Sequence, residues 1–193
     1  MSTPAAIGFR AHSGWAAAVA IAGPADAPSV IARRRIEMVD RDSAGGKQPY
    51  HAAVGLEMCE AQQIVTASAA RAVSLAAAAL RGIVEDLRKL GHEVDGCGLV
   101  LASGRSLPAL EGILASHPLI HTAEGELFRE ALRAAIRVLG PPLVEVKERE
   151  LLSRAKPVEP HLAAMGRAIG PPWRQDQKYA AMAAWLALIQ SRP

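Results

Sequence analysis

The sequence predicts an α/β domain on a mixed five-stranded sheet, an antiparallel three-strand meander extended by two parallel strands, with helices on its flanks. Three observations lead there. Strand-length apolar runs, broken by turns containing glycine or proline, fill the N-terminal part. A long stretch follows in which apolar residues recur three or four apart. The remainder alternates strand-length and helix-length patterns, as parallel crossover units do.

Residues 6–10 and 15–22 are apolar runs separated by Ala11-His12-Ser13-Gly14, a polar turn of hairpin length closed by glycine. After the breaker Gly23-Pro24-Ala25-Asp26-Ala27-Pro28, residues 29–39 carry Val30, Ile31, Ile36, Met38 and Val39 and read as the third strand. Its Arg33-Arg34-Arg35 is the one dense basic run. Alternation sets Arg33 and Arg35 on one face and Arg34 on the other, with a solvated sheet face favoured over a phosphate contact. Residues 40–49, with Gly45-Gly46, read as an exposed loop.

Over residues 50–90 the period becomes helical. Val65, Ala69, Val73, Ala76, Leu80, Val84 and Leu87 form one stripe, and Gly55 interrupts the first turns. Residues 97–102 read as a buried central strand. In the following Ser103-Gly104-Arg105-Ser106, Ser106 is placed to cap a short helix through Leu114. Thr122 is the expected cap of the next helix, which carries Leu127, Phe128, Ala131, Ala135 and Val138 and stops at Gly140-Pro141-Pro142. Residues 143–146 read as the fifth strand, 148–155 as a short helix and 161–169 as part of a proline-punctuated stretch. Pro171-Pro172-Trp173 opens the last helix, with Ala181, Ala184, Trp185 and Leu188 on one face.

Composition narrows the function classes. A chain of 193 residues supports one substantial core, and with no repeat or linker it is expected to form one domain over residues 1–193. Half of it is hydrophobic yet only 4% is aromatic, so alanine supplies the excess and closely approached helices are expected. A net charge of +3 and a pI near 9.1 permit nucleic-acid binding without requiring it, because the basic residues are dispersed. Cys59 and Cys97 show neither zinc-site nor disulfide spacing, which fits a reducing compartment such as the cytoplasm. No charged start precedes an apolar run, and no apolar stretch nears the roughly 18 residues of a membrane span, so secretion and membrane insertion are not expected.

Two stretches carry a family resemblance. The first strand reads Ile7-Gly8-Phe9-Arg10 before Ala11-His12-Ser13-Gly14, and the last helix opens Asp176-Gln177-Lys178-Tyr179-Ala180-Ala181. With the order of elements, they resemble the ribonuclease H-like superfamily, more narrowly its RuvC-like resolvase branch and the actin-like ATPases that share the core. In that superfamily the first strand typically runs hydrophobic residue, glycine, hydrophobic residue, aspartate before a Gly/Ser turn, and the resolvases carry an acid opening an alanine-rich C-terminal helix. The resemblance implies metal-dependent phosphodiester chemistry with Mg²⁺ or Mn²⁺. Here Arg10 stands in the place of the first acid, and a guanidinium cannot ligate a cation. Leu101-Ala102-Ser103 also lacks the acid that the resolvases place after the fourth strand. Asp176 matches the helix-opening acid, although a first-turn carboxylate is also favoured by the helix dipole at ~0.3–1 kcal/mol.

Other constellations stand beside these. His117, His121, Glu124 and Glu126 lie close together around an expected helix start and could share a metal, although helix starts attract acids anyway. Ser103 and Arg105 join a strand to a helix and, with Arg10 and His12 at the hairpin tip, could form a cationic pocket for an anion. Trp173, Arg174 and Lys178 could stack on and pair with a phosphate-bearing ligand, or serve as a staple and a solvated face. His51 and His92 show no evident partners.

Three functions remain open. The preferred one is a ribonuclease H-like domain without a standard two-metal site that binds nucleic acid or another phosphate-bearing ligand through Arg10, His12, Ser103, Arg105, Trp173, Arg174 and Lys178. The second is a metal-dependent nuclease using Glu124, Glu126 and Asp176 as an atypical acid set. The third is a structural module whose alanine-rich helices form a homo-oligomer or partner surface.

Overall fold

The computed structural model describes residues 2–40, 42–43, 45–102 and 106–191. Strands β1 (Thr3–His12), β2 (Trp15–Ala22) and β3 (Ser29–Glu37) form the antiparallel meander. Strand β4 (His92–Leu101) pairs parallel to β1, and β5 (Leu143–Lys147) pairs parallel to β4. The five strands lie in the order β3-β2-β1-β4-β5, the mixed sheet expected from the sequence. β1 runs further than its apolar core suggests. His12 pairs with Trp15, leaving a tight Ser13-Gly14 turn in which Gly14 supplies the positive φ of 82°.

The helices are α1 (Pro49–Ala52), α2 (Met58–Lys89), α3 (Leu110–Leu114), α4 (His117–Leu139), α5 (Glu148–Arg154), α6 (Leu162–Ile169) and α7 (Gln175–Gln190), with a 3₁₀ turn at Lys156–His161. The interruption expected at Gly55 is present, where a positive φ of 80° separates α1 from α2. Three helix starts differ from expectation. The last helix begins at Gln175, after the Pro171-Pro172-Trp173 expected to open it. Ser106 is not the cap of α3, which begins at Leu110 after Ala109. Thr122 lies inside α4, where its hydroxyl donates back to the Pro118 carbonyl at 2.9 Å; the helix starts after Ser116, with Pro118 in its first turn.

Strand alternation divides the interior. Ile7 and Phe9 of β1 face a core shared with α2 and α4, while Ala6 and the residues aligned with it face α7. α2 is long and apolar enough to match a membrane span by length and composition, yet Ala61, Val65, Ala72, Ala76, Leu80, Ile83 and Leu87 are buried along it as one core stripe. α7 lies almost directly on the sheet. A Cβ at Gly8 would come within 1.8 Å of the Ala180 carbonyl oxygen, and one at Gly98 within 2.1 Å of that of Ala183. Gly8 and Gly98 are neighbours across β1 and β4, so together they form the floor on which α7 rests.

This contact also sets direction. α7 passes Gly8 near Ala180 and Gly96 near Ala187, running antiparallel to β1, so its first turn sits at the edge where β1, β4 and β5 end. The switch in strand direction beside β1 makes that edge the natural place for a site in an open α/β sheet.

Candidate functional site

Arg10 occupies the last turnward part of β1, between Ala17 of β2 and Val100 of β4. As an even-numbered position beside Gly8 it faces α7, and its side chain is only 16% exposed. Two carboxylates close on it. Nη1 donates to Asp176 Oδ1 at 2.9 Å, and Nη2 lies 3.2–3.3 Å from both oxygens of Glu148. Asp176 comes from the first turn of α7, and Glu148 is the first residue of α5, directly after β5. The Tyr179 ring, one turn beyond Asp176, lies 4.8 Å from the guanidinium carbon.

His12 extends the array. Its Nε2 is 2.9 Å from the same Asp176 Oδ1, and because a carboxylate only accepts, that nitrogen carries the proton. The imidazole stacks on Trp15 with centroids 4.4 Å apart, and the Arg35 guanidinium covers the Trp15 ring at 3.8 Å. Arg35, Trp15, His12, Asp176, Arg10 and Glu148 therefore form a continuous layer of alternating cation, ring and carboxylate along the edge. Exposed Arg149 and Lys178 flank it, beside an open cleft of about 570 Å³ lined by Ala102, Glu148, Arg149, Leu152 and Tyr179.

The arginine run obeys its expected alternation but is not simply solvated. Arg33 donates to the carbonyls of Gly170, Pro171 and Pro172 at 2.7–2.9 Å and pins the segment that leads into α7. Arg34 faces the other way, 3.7 Å from Asp86 of α2.

The remaining candidates separate. Ser103 and Arg105 lie outside the described residues. Trp173 is a packing residue: Nε1 donates to the Leu162 carbonyl at 2.8 Å, and its ring fills the space above Gly166, where a Cβ would come within 2.4 Å of it. Arg174 is exposed, and its backbone N–H donates to the Gln177 side chain at 2.9 Å. Glu124, Glu126 and Asp176 do not form one acid set. Asp176 belongs to the α7 face, while α4 covers the opposite face; there Glu126 pairs with Arg129 at 2.8 Å and Glu124 with His51.

His51 is the partner that sequence reasoning missed for Glu124. Glu124 is 1% exposed and accepts from His51 Nδ1 at 2.8 Å and from the His51 backbone N–H at 3.2 Å. That backbone group is one of the orphan donors at the start of α1, so the carboxylate also serves as a helix cap. Burial first, and then the neighbouring Glu124 charge, push the Tyr50 phenol above its ordinary range. On the other face of the sheet, Glu148 and Tyr179 were also missed. A signal for Glu148 was present, since it is an acid placed immediately after a parallel strand.

No protein-family model and no curated protein matches the sequence. Solved structures do. T. thermophilus RuvC in complex with a Holliday junction substrate superposes with a TM-score of 0.55 at 8% identity, covering 94% of this chain and 90% of that one. A second structure of Thermus thermophilus RuvC gives a TM-score of 0.51 at 10% identity, covering 94% and 91% respectively. At such identities the likeness is one of fold. With its three antiparallel and two parallel strands between helices, the chain has the ribonuclease H-like fold in the form found in RuvC.

Proposed function

We propose that this domain binds nucleic acid at the carboxyl edge of its sheet without cleaving it. The observation that carries the reading is the Arg10 guanidinium held between Asp176 and Glu148. Metal-assisted phosphodiester cleavage needs carboxylates free to hold divalent ions against the phosphate. Here a permanent internal cation neutralises them, and a divalent ion would have to enter against it. The same edge carries Arg149, Arg174 and Lys178 exposed to solvent, side chains suited to a phosphate backbone. One of the superposed RuvC structures holds a Holliday junction substrate, which makes branched DNA the first ligand to try.

The test is fluorescence anisotropy with four-way junction, duplex and single-stranded DNA and with RNA, over a salt series. Parallel cleavage gels contain Mg²⁺ or Mn²⁺. The expected result is binding that weakens with salt and no metal-dependent cleavage. Each of the exposed basic residues that meets a phosphate should, when replaced by alanine, lower the slope of log K against log salt by about 0.9 for duplex DNA. Cleavage abolished by Asp176→Ala would overturn the reading, as would the absence of salt-dependent binding to every one of these probes.

A further inference from the structure

Three imidazoles meet over the first turns of α4, on the layer opposite Arg10. His117 and His121 are four residues apart and share one helix face. α1 lays His51 against them, so that one nitrogen from each ring lies within 4.8 Å of those of the other two. Ring centroids are 4.5 Å apart for His117 and His121, 4.8 Å for His51 and His121, and 5.4 Å for His51 and His117. A small apolar cluster of Ile113, Ile120 and Ala123, joined by Tyr50, Leu107 and Leu119, packs α1 and α3 onto α4 and fixes this approach.

Glu124 lies one turn beyond His121 on the same face. It is buried, and its hydrogen-bonding partner among the described residues is His51, through both the ring and the backbone. A neutral His51 that donates Nδ1–H to this carboxylate carries its lone pair on Nε2. Such a carboxylate-to-histidine contact is how metal-binding imidazoles are held in one tautomer and orientation. A buried carboxylate also needs positive charge nearby, which a cation on the far side of the imidazole would provide.

We propose that His51, His117 and His121 bind one divalent transition metal of the zinc class, with Glu124 as the positioning residue that orients His51. Imidazole nitrogens select zinc, cobalt, nickel or copper over magnesium and calcium. A tetrahedral ion with metal–nitrogen bonds of about 2.0–2.1 Å requires nitrogens about 3.4 Å apart. The ring nitrogens lie within 4.8 Å of one another, and His117 and His121 are exposed and free to change rotamer to close on an ion. Three protein nitrogens leave a fourth position for water or a substrate oxygen, the ligand count of an open zinc site rather than a closed structural one. This site does not depend on the reading of the Arg10 edge.

The test is isothermal titration calorimetry of the chelator-stripped full chain with Zn²⁺ and Co²⁺, followed by the visible spectrum of the Co²⁺ form. One equivalent should bind, with the intense absorption of a four-coordinate Co²⁺ ion, and Mg²⁺ should give no heat from this site. His117→Ala and His121→Ala, both at exposed positions, should abolish binding while leaving the circular dichroism unchanged. Glu124→Gln should weaken binding 10–100-fold. Cys59→Ser, which removes the exposed thiol, should bind as the wild type does. Failure of the wild type to bind an equivalent, binding that survives the His117→Ala/His121→Ala double substitution, or binding lost in Cys59→Ser would each overturn the proposal.

Discussion

Replacing Arg10 tests whether an internal cation keeps magnesium out of the carboxylate edge. Arg10→Ala removes a charge-assisted bond to Asp176, ~1.5–3 kcal/mol for partners this protected. It also removes a longer contact to Glu148, which is 44% exposed and so adds only about 0.5 kcal/mol, and a cation–π contact to Tyr179 of ~0.5–1 kcal/mol. The loss is about 3 kcal/mol, a fall of ~6–12 °C in Tm for a chain of this size. Arg10→Asp goes further by restoring the acid that the resemblance places on this strand. In the wild type, a divalent ion roughly 4 Å from the guanidinium would meet a repulsion on the order of 8 kcal/mol at an effective dielectric of about 20. Without the guanidinium, Mg²⁺ at about 100 times its Kd should stabilise Arg10→Asp by ~2.7 kcal/mol. Differential scanning fluorimetry with and without Mg²⁺ reads both effects, and Mg²⁺ avoids the imidazole cluster because it prefers oxygen ligands. An equal Mg²⁺-dependent rise in Tm for the wild type, lost in Asp176→Ala, would refute the argument.

Other perturbations probe the scaffold. Gly98→Ala sets a methyl against the Ala183 backbone and should cost at least about 3 kcal/mol, whereas Gly82→Ala, in an open part of α2, should gain ~0.5–1 kcal/mol; urea unfolding of both distinguishes floor contact from general glycine effects. Burial pushes the Cys97 thiol from an ordinary value of 9.0 up to about 12, so the folded chain holds this proton longer than the unfolded one. Its contribution is therefore complete below about pH 9 and lost as pH rises towards 12, on the order of 4 kcal/mol at most. Unfolding across that range checks the sign, and alkylation at neutral pH should label exposed Cys59 while sparing Cys97. Trp173→Phe removes the bond to Leu162 at a cost of about 1 kcal/mol and should leave nucleic-acid affinity unchanged; a loss of affinity with stability intact would restore Trp173 as a stacking platform.

The sheet was legible because its apolar runs are bounded by glycine and proline, and because β-strand length and helical period are both local properties. Boundaries failed where another local signal outranked the residue chosen as cap. Thr122 is a good cap by type, yet Ser116 and Pro118 upstream provide an earlier start, and the hydroxyl is satisfied within the helix. The pairing of Arg10 with Asp176 joins the two positions that carry the family resemblance, but it spans 166 residues and its second acid, Glu148, went unread. His51 and Glu124 are 73 residues apart, and nothing near His51 in sequence marks it as a partner. The glycine floor carried a readable signal, since Gly96 and Gly98 alternate on one face of β4 while the last helix is rich in alanine.

Both candidate sites lie at the carboxyl edge of the sheet, and their separation follows from strand pleat. Phe9 points into the layer of α2 and α4, and Arg10, one residue on, points towards α7. β3 runs parallel to β1 and releases the chain into α1 at this edge, while α4 begins there after β4 and runs back along the sheet. The oxygen donors of Glu148 and Asp176 are thus confined to one layer and the nitrogen donors of His51, His117 and His121 to the other. Arg10 hydrogen-bonds into the first set, on the α7 side of the sheet. A guanidinium in the place of the first-strand acid therefore disfavours hard cations at the oxygen edge while leaving the imidazole edge free to take a softer one.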